Sequence, residues 1–156
     1  MTTNTKTVAF VNLKGGVGKT TSAIGTAEAL ARLGHTAEEE WVLIDTPPLQ
    51  TDLVEAAVDA ADLVLLVTTT GPIDLERMLE TIRQINKPSS VLLTQTRYGT
   101  RSLRHAEEFL AENGLAHCRE TIPYKEAMRL APDEGRFPSA SGYGLIAKEL
   151  SDAFNA

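Results

Sequence analysis

An α/β fold, with a mostly parallel sheet and helices on both faces, is what this sequence predicts. Three observations predict it. Short apolar, β-branched runs alternate with amphipathic helical stretches from Thr7 onward, and that alternation implies right-handed crossovers between parallel strands. Hydrophobic residues make up 42% of the 156 residues, enough for a core. No repeat, low-complexity run or linker divides the chain, so residues 1–156 read as one domain.

The elements follow in order. Thr7 to Asn12 (TVAFVN) is a β-branched and aromatic strand. A Gly-rich turn leads into a helix from about Lys19 to Leu33, which Gly34 caps. Trp41 to Ile44 is a strand running into Asp45 and stopped by Pro47-Pro48. Asp52 to Ala60 is a helix whose expected inner face holds Leu53, Val54, Ala57, Val58 and Ala61. Leu63 to Val67 is the third strand. Pro72 and Asp74 open a helix with Leu75, Met78, Leu79, Ile82 and Ile85 at helical spacing. Val91 to Thr94 is the fourth strand, and a helix from about Thr100 to Asn113 ends at Gly114. His117 to Ile122 is expected as a fifth strand. A short helix from Lys125 and a terminal one from about Tyr143 complete the set.

Composition excludes several classes. With 15 Lys and Arg against 21 Asp and Glu the net charge is −6, which argues against a protein that simply coats nucleic acid or an acidic membrane. One cysteine, Cys118, excludes a disulfide framework, a CxxC pair and a multi-cysteine metal site within one chain. His35, His105 and His117 lack metal-ligand spacing. No apolar run is long enough for a membrane span, and the polar start lacks a signal peptide's apolar stretch, so a cytoplasmic location is expected. Between Leu33 and Glu76 there are ten acids and no Lys or Arg.

Lys14-Gly15-Gly16-Val17-Gly18-Lys19-Thr20-Thr21 carries the chemistry. It lies between an apolar strand and a helix start, where a phosphate-binding loop must lie. Glycines let the backbone curl so that successive N–H groups converge on an anion, and the helix N-terminus adds partial positive charge. Lys19 can reach β- and γ-phosphates, and the Thr20 hydroxyl can ligate Mg²⁺. The general GxxxxGK[ST] pattern would place Gly at position 13, where this chain has Leu13. Position 14 holds a second lysine, a repulsive arrangement unless a highly charged ligand such as a triphosphate shares the site. The alternative is that the glycines only make a tight turn.

KGGVGKTT after TVAFVN resembles the deviant Walker A motif of the ParA/MinD family of P-loop ATPases. Trp41 to Pro48 (WVLIDTPP) resembles the family's Walker B segment, Gly71-Pro72-Ile73-Asp74-Leu75 its PSPxD segment, and Ile122-Pro123-Tyr124 its late IP loop beside the base. The resemblance implies a three-layer P-loop NTPase that binds ATP or ADP with Mg²⁺ and forms an ATP-dependent sandwich dimer with itself. It implies that Lys14 reaches across to the partner's phosphates, Lys19 holds β/γ oxygens, Thr20 the Mg²⁺ and Thr21 the α-phosphate. Gly15, Gly16, Val17 and Gly18 complete the nucleotide-binding loop, with Lys14 and Lys19 the catalytic lysines. Asp45 would hold Mg²⁺ through water; the alternative is a strand-end acid that caps the turn before Thr46. Thr96 and Arg97 fall where the family often has Asn-Arg near the adenine, and Pro123, Tyr124 and Lys125 are candidate base contacts.

Family members continue from the first helix into a second strand with a D-x-D-P-Q-type segment. Here His35-Thr36-Ala37 runs straight into Glu38-Glu39-Glu40-Trp41, so a strand-and-helix unit of roughly 30 residues is missing. The resemblance then implies a sheet lacking an edge strand, with Trp41 to Ile44 as its new margin. It also implies loss of the water-positioning Asp, so that nucleotide binding survives while turnover is impaired.

The single cysteine does not suit a cluster-bearing reductase. The terminal helix has net negative charge, so core packing is expected there rather than a MinD-like membrane contact. Arg97, Arg101 and Arg104 have i, i+4, i+7 spacing, which makes Arg101 and Arg104 candidates for phosphate contacts with DNA; salt bridges to Glu107 and Glu108 are the alternative. The expected function is thus a nucleoid-associated, ParA-type partition ATPase with non-specific DNA and a centromere-binding protein as partners. A nucleotide-binding regulatory module without turnover and a MinD-like positioning ATPase are the alternatives.

Overall fold

The computed structural model describes residues 4–34, 39–48, 50–134 and 136–156. The elements in chain order are β1 (Asn4–Val11), α1 (Lys19–Arg32), β2 (Glu39–Asp45), α2 (Thr51–Ala60), β3 (Leu63–Thr68), α3 (Pro72–Ile82), β4 (Ser89–Leu93), α4 (Arg101–Glu112), α5 (Ala127–Glu134) and α6 (Tyr143–Phe154). The strands form one sheet in the order β2-β1-β3-β4, every neighbouring pair parallel. The expected α/β fold is therefore present, with β2 at the margin of the sheet.

Strand alternation divides the core in two. Ala9, Val11, Val64, Leu66, Val91 and Leu93 pack against Val54 and Ala57 of α2, Leu75 and Met78 of α3, and Leu103, Ala106 and Leu110 of α4. Their neighbours Val8, Phe10, Leu65, Val67 and Leu92 pack on the other face against Ala23 of α1, Met128 of α5 and Tyr143, Ile146 and Leu150 of α6. Central strands buried on both faces need continuous apolar runs rather than alternation, and β1 and β3 have them. Tyr143 lies flat against α1 because Gly25 has no side chain: a Cβ there would sit 2.3 Å from the Tyr143 ring.

Polar groups also tie the layers. Lys6, only 2% exposed, donates to Glu39 Oε1 and to Asn155 Oδ1, each at 3.1 Å. Its ammonium also lies 5.1 Å from the centre of the Trp41 ring, an attractive geometry for a cation over an aromatic face. Trp41 in turn meets Phe154 edge to face at 5.2 Å. One buried lysine thus joins β1, β2 and the end of α6.

Two expectations change. The segment expected as a fifth strand forms no continuous ladder: it meets the sheet at isolated bridges, Val91 with His117 and Thr96 with Pro123, and through the Ile122 amide on the Leu93 carbonyl at 2.9 Å. The ladder is interrupted because Glu149 of α6 accepts the Arg119 and Glu120 amides, at 3.0 and 3.1 Å, and because Gln95 opposite takes φ 54°. Leu53, expected on the inner face of α2, is instead 52% exposed; no element among the described residues covers that flank of the helix. The junction His35-Thr36-Ala37-Glu38, where the family's extra unit would enter, lies outside the described residues.

Candidate functional site

The site grows from the C-terminal ends of the strands, where parallel sheets leave loops free to converge. The Gly-rich loop leaves β1 through Asn12. Asn12 is buried, donates to the Val67 carbonyl at 2.8 Å and accepts the Lys14 amide at 2.8 Å, which fixes the angle at which the loop departs. Gly16 and Gly18 take φ of 76° and 90°. That region costs a side-chain-bearing residue roughly 1–2 kcal/mol. Val17 between them is fully buried and anchors the loop to the core.

Two residues outside the motif clamp the loop from the end of β4. Thr94 donates to the Val17 carbonyl at 2.6 Å, and Gln95 Nε2 to the Gly16 carbonyl at 2.7 Å. With its carbonyls turned away to these donors, the loop keeps its amides for the other side. The first helical bond of α1 runs from Ser22 to Gly18 at 2.8 Å. The amides of Lys19, Thr20 and Thr21 precede it and stand at the positive end of the helix.

Lys19 is 6% exposed, and its ammonium donates to the Lys14 carbonyl at 2.7 Å. Burial lowers its pKa from the ordinary 10.5, while the Asp45 charge works in the opposite direction. Thr20 and Asp45, from α1 and the end of β2, are brought together: the hydroxyl donates to Asp45 Oδ2 at 2.6 Å. Pro48, after β2, lies over Gly15, with ring carbons 3.7 Å from where a Cβ would be.

In the single chain Lys14 has a partner within its own fold. Its ammonium turns back onto Asp74 Oδ1 of its own chain at 2.5 Å. Asp74, 7% exposed, also accepts the Thr69 hydroxyl at 2.5 Å. Burial pushes its pKa up, but the Lys14 and Thr69 hydrogen bonds and the charges of Lys14 and Arg77 outweigh it, and the net shift is downward.

Beside the loop a cavity of about 270 Å³ is lined by Gly18, Thr21, Thr94, Pro123, Tyr124 and Tyr143, among others. Lys125 reaches it and donates to the Ala140 carbonyl at 2.9 Å. The backbone holds the wall in place, with the Thr96 amide on the Ile122 carbonyl at 3.0 Å and the Tyr124 amide on the Thr96 carbonyl at 2.8 Å. The Thr96 hydroxyl is buried against Thr121 at 2.9 Å, and Thr96 does not line the cavity. Arg97 is likewise outside the lining and stacks on the outer side of the Tyr124 ring at 5.0 Å. On α4, Arg101 and Arg104 are exposed, and neither makes an ion pair among the described residues, so the expected alternative of pairing with Glu107 and Glu108 is not realised.

Sequence reading missed Asn12, Thr94, Gln95 and the lysine-binding role of Asp74. Asp74 had a signal, an acid in the first turn of a Pro-initiated helix. The others had none, because a loop clamp from a distant strand is visible only after folding.

The arrangement fits a polyphosphate with a divalent cation: a curled amide-lined loop with two left-handed glycines, a buried ammonium behind it, and a hydroxyl–carboxylate pair at its mouth. Residues 8–138 match the CobQ/CobB/MinD/ParA nucleotide binding domain, and the chain belongs to that family, the ParA/MinD-like P-loop ATPases. It is 32% identical over 179 positions to the Maintenance of carboxysome distribution protein A of Gloeobacter kilaueensis, covering 83% of this chain and 82% of that protein. The fold is similar to MinD of the Aquifex aeolicus MinC:MinD complex (TM-score 0.77, 15% identity, 94% of this chain and 96% of that one). It is also similar to the septum site-determining protein MinD of Pyrococcus horikoshii OT3 complexed with Mg-ADP (TM-score 0.74, 14% identity, 96% and 97%).

Proposed function

We propose that this chain binds ATP and ADP with Mg²⁺ and works as a ParA-type positioning ATPase that dimerises on ATP and distributes a cargo over non-specific DNA. The observation that carries the nucleotide reading is the loop itself, with Gly16 and Gly18 left-handed and Lys19 buried behind the first amides of α1. In this reading the loop amides and Lys19 hold the β- and γ-phosphates, and Thr21 the α-phosphate. Pro123, Tyr124 and Lys125 face the base in the adjoining cavity. Thr20 and Asp45 hold Mg²⁺, whose contribution when bound is to neutralise charge between the phosphates.

Lys14 bears on dimerisation. In the single chain Asp74 neutralises it, so it waits in an ion pair beside the loop; transfer to a partner's phosphates requires that pair to open. The exposed Arg101 and Arg104 support contact with DNA phosphates. The similarity to a carboxysome distribution protein supports cargo positioning as the broader role, with plasmid or chromosome partition by a centromere-binding partner as one form of it. Isothermal titration with ATP, ADP and GTP on wild type and Lys19→Ala, with sedimentation of each state, tests this. Binding of adenine nucleotides by wild type, a large loss in Lys19→Ala and an ATP-dependent dimer are expected; no nucleotide binding by wild type would sink the reading.

A second reading is favoured by one observation. The 179 aligned positions exceed the 156 residues of this chain, so the relative carries residues for which this chain has no counterpart. A nucleotide-binding module with little or no turnover follows if the water-positioning carboxylate is among them.

A further inference from the structure

The margin formed by β2 has no neighbour on its outer side among the described residues. The strand's alternate N–H and C=O groups therefore face outward, a template for pairing. Every residue of β2 is at least partly open to solvent, and Val42 is 38% exposed. The flank of α2 on the same face of the sheet is open too. Residues Leu53, Ala56 and Ala60 recur at three- and four-residue spacing on the side of α2 turned away from α3, and all three are exposed. A strand's hydrogen-bonding edge and an exposed apolar helix flank thus lie on the same side of the sheet.

Charge says what fits there. At this margin β2 carries Glu39, Glu40 and Asp45, and the exposed Asp52 stands in the first turn of α2. A second copy is a poor occupant. Two β2 strands paired antiparallel about Val42 would bring Glu39, Glu40 and Asp45 of each copy into one ladder, six acids against two copies of Lys6, and an excess of like charge across a ladder destabilises it. We propose that the β2 edge takes an extended, lysine- or arginine-flanked apolar segment of a partner polypeptide as an additional strand, with its side chains resting against Val42 and the Leu53 flank of α2. Main-chain bonds would supply affinity, and the surrounding acids the selectivity for a basic partner.

The test is independent of nucleotide and is run on the full chain without it. The probes are two short fluorescein-labelled peptides of alternating valine and threonine, one with lysines at both ends and the other with glutamates. Anisotropy should show the lysine-ended peptide binding roughly tenfold or more tightly than the other, about 1.4 kcal/mol. Hydrogen exchange should slow across residues 39–45. Val42→Lys, which puts a charge on the edge, should abolish binding. Glu40→Lys, at an exposed residue that accepts the Thr5 hydroxyl, should narrow the preference between the peptides while circular dichroism stays native. Equal affinity for both peptides overturns the proposal, as does protection confined to other segments. A peptide-independent dimer that Val42→Lys dissociates overturns it as well, because the edge then belongs to a second copy.

Discussion

Lys19 stands between two opposed influences. Burial disfavours its charge and Asp45 favours it, and burial wins. A bound polyphosphate would reverse that balance, because an adjacent anion stabilises the ammonium. Binding therefore takes up a proton wherever Lys19 is neutral in the free protein. Affinity should be level below the lowered pKa of Lys19 and fall as pH rises through it. Titration calorimetry through the alkaline range should show that decline in wild type and a flatter profile in Lys19→Gln, whose affinity should already be lower by about 1.5–3 kcal/mol, the worth of a hydrogen bond to a charged group. Asp74 has the opposite sign. Its folded pKa is depressed below 3.8, so its contribution to stability is complete above the unfolded value and is lost as pH falls through the folded one. Urea midpoints should drop in that acid window for wild type and drop less for Asp74→Asn. An equal drop in both proteins would show that the Lys14–Asp74 pair does not contribute to stability. Cys118, whose pKa burial and the Glu149 charge push up to about 12, has the chemistry of a small buried residue rather than a reactive thiol.

Helix α1 carries the loop at one end and depends on α6 along its length. Gly25 admits the Tyr143 ring, and the Tyr143 hydroxyl meets Ser22 at 3.1 Å. Gly25→Ala must displace that ring, a backbone-directed overpacking that costs roughly 1–3 kcal/mol. Thermal unfolding should shift down by roughly 2–4 °C per kcal/mol in a chain of this size. Because Tyr143 also lines the cavity, nucleotide affinity should fall with it; an unchanged melting temperature would mean that the two helices separate without cost. On α4, Arg101→Glu with Arg104→Glu should weaken non-specific DNA binding at low salt. It should also reduce the slope of log affinity against log salt by about 0.9 for each phosphate that an arginine no longer neutralises. These elements were legible in the sequence where periodicity and local signals agreed. The Gly-Lys-Thr turn, Pro72 at the start of α3 and Gly34 and Gly114 beyond α1 and α4 are all punctuation that acts over a few residues. The fifth strand was not legible, because its amides are taken by Glu149, thirty residues later in the chain. The loop clamp by Thr94 and Gln95 was not legible for the same reason: it depends on the end of β4 reaching the loop that leaves β1, two positions away in the sheet.

At the scale of the molecule the question is what a site can do when the sheet beside it stops early. The phosphate loop, Lys19, Thr20 and Asp45 all come from β1, α1 and β2, which are present and mutually bonded. In the proposed reading the phosphate and metal contacts come from these elements, while Thr94 and Gln95 clamp the loop and Pro123, Tyr124 and Lys125 line the adjoining cavity. Hydrolysis needs more: a group must orient the attacking water in line with the bond that breaks. Two of the carboxylates near the loop are already committed, and a third, Glu80 of α3, lines a cavity on the Lys14 side of it. Asp45 accepts Thr20 on the metal side, and Asp74 holds Lys14 and Thr69. Among the described residues, no other acid from β1 to the end of α2 lies in the loop or in its adjoining cavity. Single-turnover hydrolysis with Mg-ATP should thus be slow while Kd for ATP stays tight, and it should stay slow when DNA is added. Asp45→Asn should weaken the Mg²⁺ dependence of binding rather than remove a rate already low. Single-turnover hydrolysis as fast as that of a relative with the full-length sheet would show that one of these committed carboxylates leaves its partner to position water, with Asp74, released when Lys14 turns outward, the first to examine by Asp74→Asn.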